Sequence, residues 1–342
     1  MKRVHLICNA HLDPVWLWRW QEGCTEALST FRTAEAFTEE FPDFVFNHNE
    51  AILYEWVKEN EPELFARIQQ KVKEGKWHIM GGWYLQPDCN MPNGESIIRN
   101  ISEGHRFFEK EFGVRPTTAV NFDSFGHSVG LVQILNQAGY DTYVVCRPAK
   151  EQFPFREQDY LWKGLAGSEV LVHRSDENYN SVYGHVGKEL EQFLEDTKDE
   201  PVSLYLWGVG DHGGGPSRVD LTDVTKLIKE RAEKAKEEYG TPDARVYTDY
   251  KDLVKEDVDV VYVLTPNNAH APVSIAAMKA GKHVMCEKPM AKTYAEAKEM
   301  VETAKETGKI LTIGYQNRYR ADSQYLKSVC EADELGEIYY AK

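Results

Sequence analysis

The chain has 342 residues, of which 42% are apolar and 28% charged, and it carries a formal net charge of −15. That length holds one large or two medium domains with a sizeable core. The acidic balance excludes nucleic acid as the main partner, because phosphate binding needs clustered Lys and Arg, and it leaves a neutral sugar or a bound cation open.

The first predicted element is a strand at 3–8 (RVHLIC). The N-terminus opens with two basic residues, Lys2 and Arg3, but its apolar run, broken by His5 and Asn9, is too short for a signal peptide. No stretch approaches the about 20 apolar residues of a membrane span, so the expectation is a cytoplasmic protein with no membrane partner. Short apolar strands then alternate with longer amphipathic helices, the pattern of an α/β class. Further strands are predicted at 44–47, 77–81, 117–122, 141–145, 169–172 and 203–208. Helices are predicted at 26–41, 50–59, 62–74, 95–112, 129–138 and 187–196, with stop signals at Pro42, Gly75, Gly113 and Gly139. The six cysteines are scattered and none is in C-x-x-C spacing, which reads as reduced thiols.

After about residue 220 the texture changes. "VDLTDVTKLIKERAEKAKEEYG" is one long charged helix ending at Gly240, and the domain boundary is expected inside it, near residue 230. Beyond it come strands at 258–264, 282–286 and 310–314, with an Ala-rich helix closed by Gly281 and another opened by a capping box of Thr293 and Glu296.

Chemistry-bearing residues gather at predicted strand ends. In "NAHLDPVW", His11 and Asp13 follow the first strand two apart, so in extended backbone both side chains point to one side. Asp123 in "VNFDSFGHS" and His212 in "GVGDHGGGPSR" also follow strands at once. The carboxyl edge of a parallel sheet is where ligands bind. Two imidazoles and two carboxylates suit a divalent ion of borderline softness, with zinc leading. Taken singly, a His-x-Asp after a strand also reads as a turn with a satisfied histidine. Trp16 offers a face to a sugar or a side chain to the core.

Residues 1–229 resemble the N-terminal catalytic domain of glycoside hydrolase family 38, the zinc-dependent retaining α-mannosidases. The resemblance rests on "HLDPVWLW", "GGWYLQPDCNMPNGES", "NFDSFGHS" and "GVGDHGGGPSR", in that order. It implies a parallel-sheet α/β module of seven-stranded, barrel-like form, truncated relative to the family. It further implies zinc held by His11, Asp13, Asp123 and His212, Asp123 as nucleophile, and an α-mannoside as substrate. Asp176 or Glu177, in "VHRSDENYN", would be the acid/base; neither is singled out, and a solvated loop is the bland alternative. Asp88, in "QPDCNMP", either touches substrate or anchors a turn.

Residues 230–342 resemble a different family, the Gfo/Idh/MocA oxidoreductases. The matching text is "VDVVYVLTPNNAHAPVSIAAMKAGKHVMCEKPMAKT" and "TGKILTIGYQNRYR". It implies a partial Rossmann-like α/β segment lacking its first strand, glycine loop and helix, and its substrate domain. There Thr265, Pro266, Asn267 and His270 would line the nicotinamide side of an NAD(P) site, and Glu287, Lys288 and Pro289 would form the family's EKP signature. The literal G-x-G-x-x-G of Gly208, Gly210 and Gly213 does not replace the missing loop. Some residues further on lies Glu233, in a charged helix rather than at a strand end.

Three functional readings follow: a zinc glycoside hydrolase impaired by truncation, an NAD(P)-dependent oxidoreductase, and an inactive fusion of two gene fragments. The sequence fixes no oligomeric state.

Overall fold

The computed structural model describes residues 3–148, 152, 157–165, 167–175, 179–210 and 212–332. It divides into two compact units, Met1–Pro242 and Asp243–Lys342. The long helix (α7, Arg218–Tyr239) lies wholly within the first unit.

The first unit is built on two four-stranded sheets. One holds β1 (Arg3–Asn9), β2 (Phe46–Glu50), β3 (Trp77–Trp83) and β8 (Val202–Trp207), in the order β3-β2-β1-β8 and all parallel. The other holds β4 (Thr118–Asn121), β5 (Thr142–Val145), β6 (Asp159–Lys163) and β7 (Glu169–Arg174), in the order β4-β5-β7-β6. Only β6 pairs antiparallel, at the edge. The seven parallel strands match the seven read from the sequence, and β6 is the addition. The two sheets meet where Trp83 Nε1 at the end of β3 donates to the Val120 carbonyl of β4, 2.6 Å away.

Helices cover the outer faces. Against the first sheet lie α1 (Trp20–Glu40), α2 (Ala51–Asn60), α3 (Pro62–Lys73), α6 (Val186–Asp196) and α7. Their core is aromatic: Phe31, Phe46, Tyr54 and Trp77 pack edge to face, and Trp77 Nε1 donates to Tyr54 Oη at 2.8 Å. Every residue of β2 is buried, as expected of a central parallel strand covered on both faces. The second sheet is covered by α4 (Gly94–Phe112) and α5 (Gly130–Ala138). Asn93 caps α4 by accepting from the Ser96 N–H, and Gly113 ends it at φ 68°, a left-handed conformation that glycine adopts without strain. Gly104 lets α4 sit directly on β3, because a Cβ there would lie 2.2 Å from the Gly82 carbonyl oxygen.

The second unit has a three-stranded parallel sheet of β9 (Val260–Val263), β10 (His283–Cys286) and β11 (Leu311–Ile313), in the order β11-β10-β9. Helices α9 (Asn267–Lys279) and α10 (Tyr294–Thr307) pack through Ala277, Met278 and Met300 against Val261, Val263, Val284 and Cys286. The capping box of Thr293 and Glu296 is formed at the start of α10. The short α8 (Tyr250–Leu253), a 3-10 turn at Gln316–Tyr319 and α11 (Ala321–Glu331) complete its described elements. All six cysteines are free thiols, five of them buried, and no helix of the described residues is long and apolar enough to cross a membrane.

Candidate active site

Strand β1 ends at Asn9 and delivers His11 and Asp13 onto the carboxyl edge of its sheet. The two-residue spacing does what it predicts: His11 Nε2 lies 3.5 Å from Asp13 Oδ1. Strand β4 ends at Asn121 and delivers Asp123, whose Oδ2 lies 3.9 Å from the same nitrogen. His11 is buried, and its Nε2 has no hydrogen-bond partner. An unsatisfied buried nitrogen facing two carboxylates is an arrangement that asks for a proton or a cation. Burial pulls the His11 pKa down, but the carboxylates of Asp13, Glu50 and Asp123 outweigh it and hold the value above that of an ordinary histidine.

His212 is placed elsewhere. Its Nε2 pairs with Glu22 Oε1 at 2.7 Å, and its ring meets the edge of Trp18, centroids 4.3 Å apart. Trp18 in turn donates to the Asp13 carbonyl at 3.0 Å, so the tie to the first three residues runs through a tryptophan. The loop carrying His212 is a tight hairpin in which Val209 and Gly215 exchange two backbone hydrogen bonds of 2.8 Å. Gly208 opens it at φ 128°, where a Cβ would lie 1.9 Å from the Asn9 carbonyl oxygen. Gly208 of this literal dinucleotide motif therefore serves a close approach to the end of β1, while Gly213 makes room for the side chain of Glu26. Among the described residues no three His, Cys, Asp or Glu side chains stand as a ready metal site. The donor chemistry of His11, Asp13 and Asp123 fits a divalent cation, with the orphaned Nε2 at its centre; His212, held by Glu22, does not join them.

The other expected site residues are placed as follows. Trp16 is exposed and touches Trp18 edge-on, centroids 5.8 Å apart. Asp88 anchors a turn, its Oδ1 accepting from the N–H groups of Asn90 and Met91 at 2.7 and 3.2 Å. Asp176 and Glu177 lie outside the described residues. In the second unit, Thr265, Pro266 and Asn267 form the turn from β9 into α9. His270 is buried, with Nε2 2.8 Å from the Thr265 carbonyl and Nδ1 2.7 Å from the Pro289 carbonyl. Each ring nitrogen thus faces a backbone carbonyl, and a neutral ring donates to one of the two. The Glu287 N–H donates to the Val263 carbonyl at 3.0 Å, its Oε2 accepts from the Lys288 N–H at 2.7 Å, and Lys288 is exposed.

Several residues around Asp123 escape a reading by motif. Arg147, just past β5, brings Nε within 2.6 Å of Asp123 Oδ1 and covers the rings of Phe125 and Tyr179. Its position after a predicted strand was the available signal. Tyr179 packs edge-on against His11, centroids 4.8 Å apart. Arg147 also lines a cavity of about 750 Å³ with Phe125, Tyr143, Tyr160 and Trp162. His127, in the same motif as Asp123, is not free for a ligand: its nitrogens face Tyr143 Oη at 3.0 Å and the Arg147 carbonyl at 2.8 Å. Glu50, at the end of β2, is fully buried, and burial lifts its pKa to about 7. Beside it, burial drops His48 to about 3.

Comparison with known proteins places this geometry. The model of the glycosyl hydrolases family 38 N-terminal domain matches residues 1–263. The chain belongs to that family. Alpha-mannosidase G of Dictyostelium discoideum is 34% identical over 245 residues, which is 70% of this chain and 22% of that protein. A solved alpha-mannosidase from Enterococcus faecalis V583 shares the fold at a TM-score of 0.60 and 19% identity, over 68% of this chain and 27% of that one. A separate similarity is to inositol 2-dehydrogenase of Salmonella typhimurium, 37% identical over 123 residues, 35% of this chain and 36% of that protein. Both resemblances carried by the motifs therefore stand, and the chain spans less than a quarter of the length of the curated alpha-mannosidases it matches.

Proposed function

We propose that the first unit is the nucleophile-bearing part of a retaining glycoside hydrolase acting on α-mannosides. The observation that carries this reading is the meeting of His11, Asp13 and Asp123 at the carboxyl ends of β1 and β4, in a chain of glycosyl hydrolase family 38. Asp123 is the nucleophile: its carboxylate forms a bond to the anomeric carbon as the bond to the leaving oxygen breaks. A second carboxyl group gives that oxygen its proton, then takes one from the water that releases the sugar. Asp176 or Glu177 is assigned this second role from the family alone.

Arg147 holds the Asp123 carboxylate in place through its 2.6 Å contact, so that one oxygen is fixed while the other remains directed toward His11. The aromatic lining of the adjoining cavity suits the apolar face of a sugar ring or its leaving group. His11, Asp13 and Asp123 would hold a zinc ion, with His212 added on release from Glu22. When bound, the ion supplies Lewis acidity toward sugar hydroxyls.

The test is hydrolysis of an aryl α-mannoside by the full chain, beside Asp123→Ala with added azide. The expected result is loss of hydrolysis in the variant and formation of the β-mannosyl azide. Undiminished hydrolysis by the variant would remove Asp123 from the nucleophile's role.

A further inference from the structure

Gln86 stands between the two halves of the site and belongs to none of its expected residues. It follows β3, and its backbone N–H donates to Glu50 Oε1 at 3.0 Å. Its side chain joins two partners. The backbone N–H of Phe122, the residue before Asp123, lies 2.9 Å from Gln86 Oε1, and His11 Nδ1 lies 3.3 Å from Gln86 Nε2. The first contact orients the amide, because a backbone N–H can only donate and needs the oxygen. The amide nitrogen, itself only a donor, is then left facing His11, so His11 Nδ1 must accept.

We propose that Gln86 is a positioning residue that holds neutral His11 in its Nε2–H tautomer and so weakens divalent-metal binding at this site; the second half of the statement rests on the metal reading above. A neutral imidazole carries one proton. With Nδ1 accepting, that proton sits on Nε2, the nitrogen that faces Asp13 and Asp123 and that a metal would need bare. Moving the proton to Nδ1 sets it against the amide N–H of Gln86. Turning the amide over answers His11 but sets the Gln86 nitrogen against the Phe122 N–H. One contact is lost either way. A carboxylate in the same place has an acceptor for each partner, and partners of this kind change metal affinity by about 10–100-fold.

The experiment uses the full chain labelled with [15N]histidine, metal-free and at alkaline pH where the ring is neutral, with His11 assigned by its loss in His11→Ala. Wild type is expected to show the Nε2–H tautomer of His11 and Gln86→Glu the Nδ1–H tautomer. A proton on Nδ1 in wild type overturns the proposal without reference to any metal. Zinc titration against a competing chelator is the second readout, with Gln86→Glu expected to bind about 10–100-fold tighter than wild type. Equal or weaker binding by Gln86→Glu overturns the metal consequence. If the tautomers are as stated and neither protein binds zinc, the metal reading of the site fails while the assignment of Gln86 stands.

Discussion

His11 and His270 are both buried, and both lie near the carboxyl ends of parallel strands, yet they are put to opposite uses. His270 has a carbonyl at each ring nitrogen and ties the loop after β9 to the loop after β10. His11 has one nitrogen on Gln86 and the other unsatisfied between two carboxylates. Burial and position at a strand end are therefore not enough to mark a functional histidine. What separates the two is the chemistry facing the second nitrogen: one neutral carbonyl, or carboxylates that leave room for a cation.

That contrast can be broken by substitution. The largest effect is expected from Asp123→Asn, which should lower hydrolysis of an aryl α-mannoside by at least about a thousandfold, about 4 kcal/mol in transition-state stabilisation, with little change in melting temperature. A parallel loss of fold would make Asp123 structural, like His270. Next, Phe31→Ala opens a cavity in the aromatic core of the first unit, where Phe31 is fully buried, at about 3–5 kcal/mol. All eight tryptophans precede residue 243, so tryptophan fluorescence in a urea titration reads this unit alone.

Glu50 gives a pH-dependent effect of about 3 kcal/mol at most. Its native pKa is raised to about 7 by burial, so between pH 4.5 and 7 the native state holds a proton that the unfolded chain has lost. Its contribution to stability is present below that window and is lost as pH rises through it. Glu50→Gln should match wild type at the acid end and gain stability over it toward pH 7, measured on metal-free protein. His48 works the other way, since a histidine depressed to about 3 destabilises the fold as pH falls below about 6.5. A gain from Glu50→Gln that does not vary with pH would refute the assignment. The smallest effect is expected from His270→Ala, about 2 kcal/mol for the buried carbonyl that loses the ring's hydrogen bond. It should shift unfolding followed by far-ultraviolet circular dichroism and leave the tryptophan-detected transition in place.

Much of the fold was legible. The seven predicted strands of the first unit and the three of the second all form, because apolar runs bounded by Gly, Pro and polar turns leave few alternatives. The misses have local causes. Strand β6 is an edge strand with alternating exposure, and its sequence DYLWK carries no run long enough to announce it. Helix α1 begins six residues before the predicted 26, since Gly23 and an N-cap arginine with no side-chain cap look like a loop. Gly23 is needed for contact instead, as a Cβ there would lie 2.2 Å from the Pro14 carbonyl oxygen. At the site, the convergence of His11, Asp13 and Asp123 was legible from strand ends. The capture of His212 by Glu22 was not, because the partners are 190 residues apart.

The sequence by itself determined which residues arrive at the carboxyl edges of the sheets, since periodicity and turn chemistry are local. It also determined the family, through four motifs kept in order. Tertiary structure alone decided what each side chain meets on arrival. Gln86 reaches His11 across 75 residues and Asp123 meets His11 from the other sheet, contacts that no local pattern encodes. The tautomer of a ring and the availability of one nitrogen are set by those distant partners, because a hydrogen bond depends on which atom lies within about 3 Å and not on where it stands in the chain.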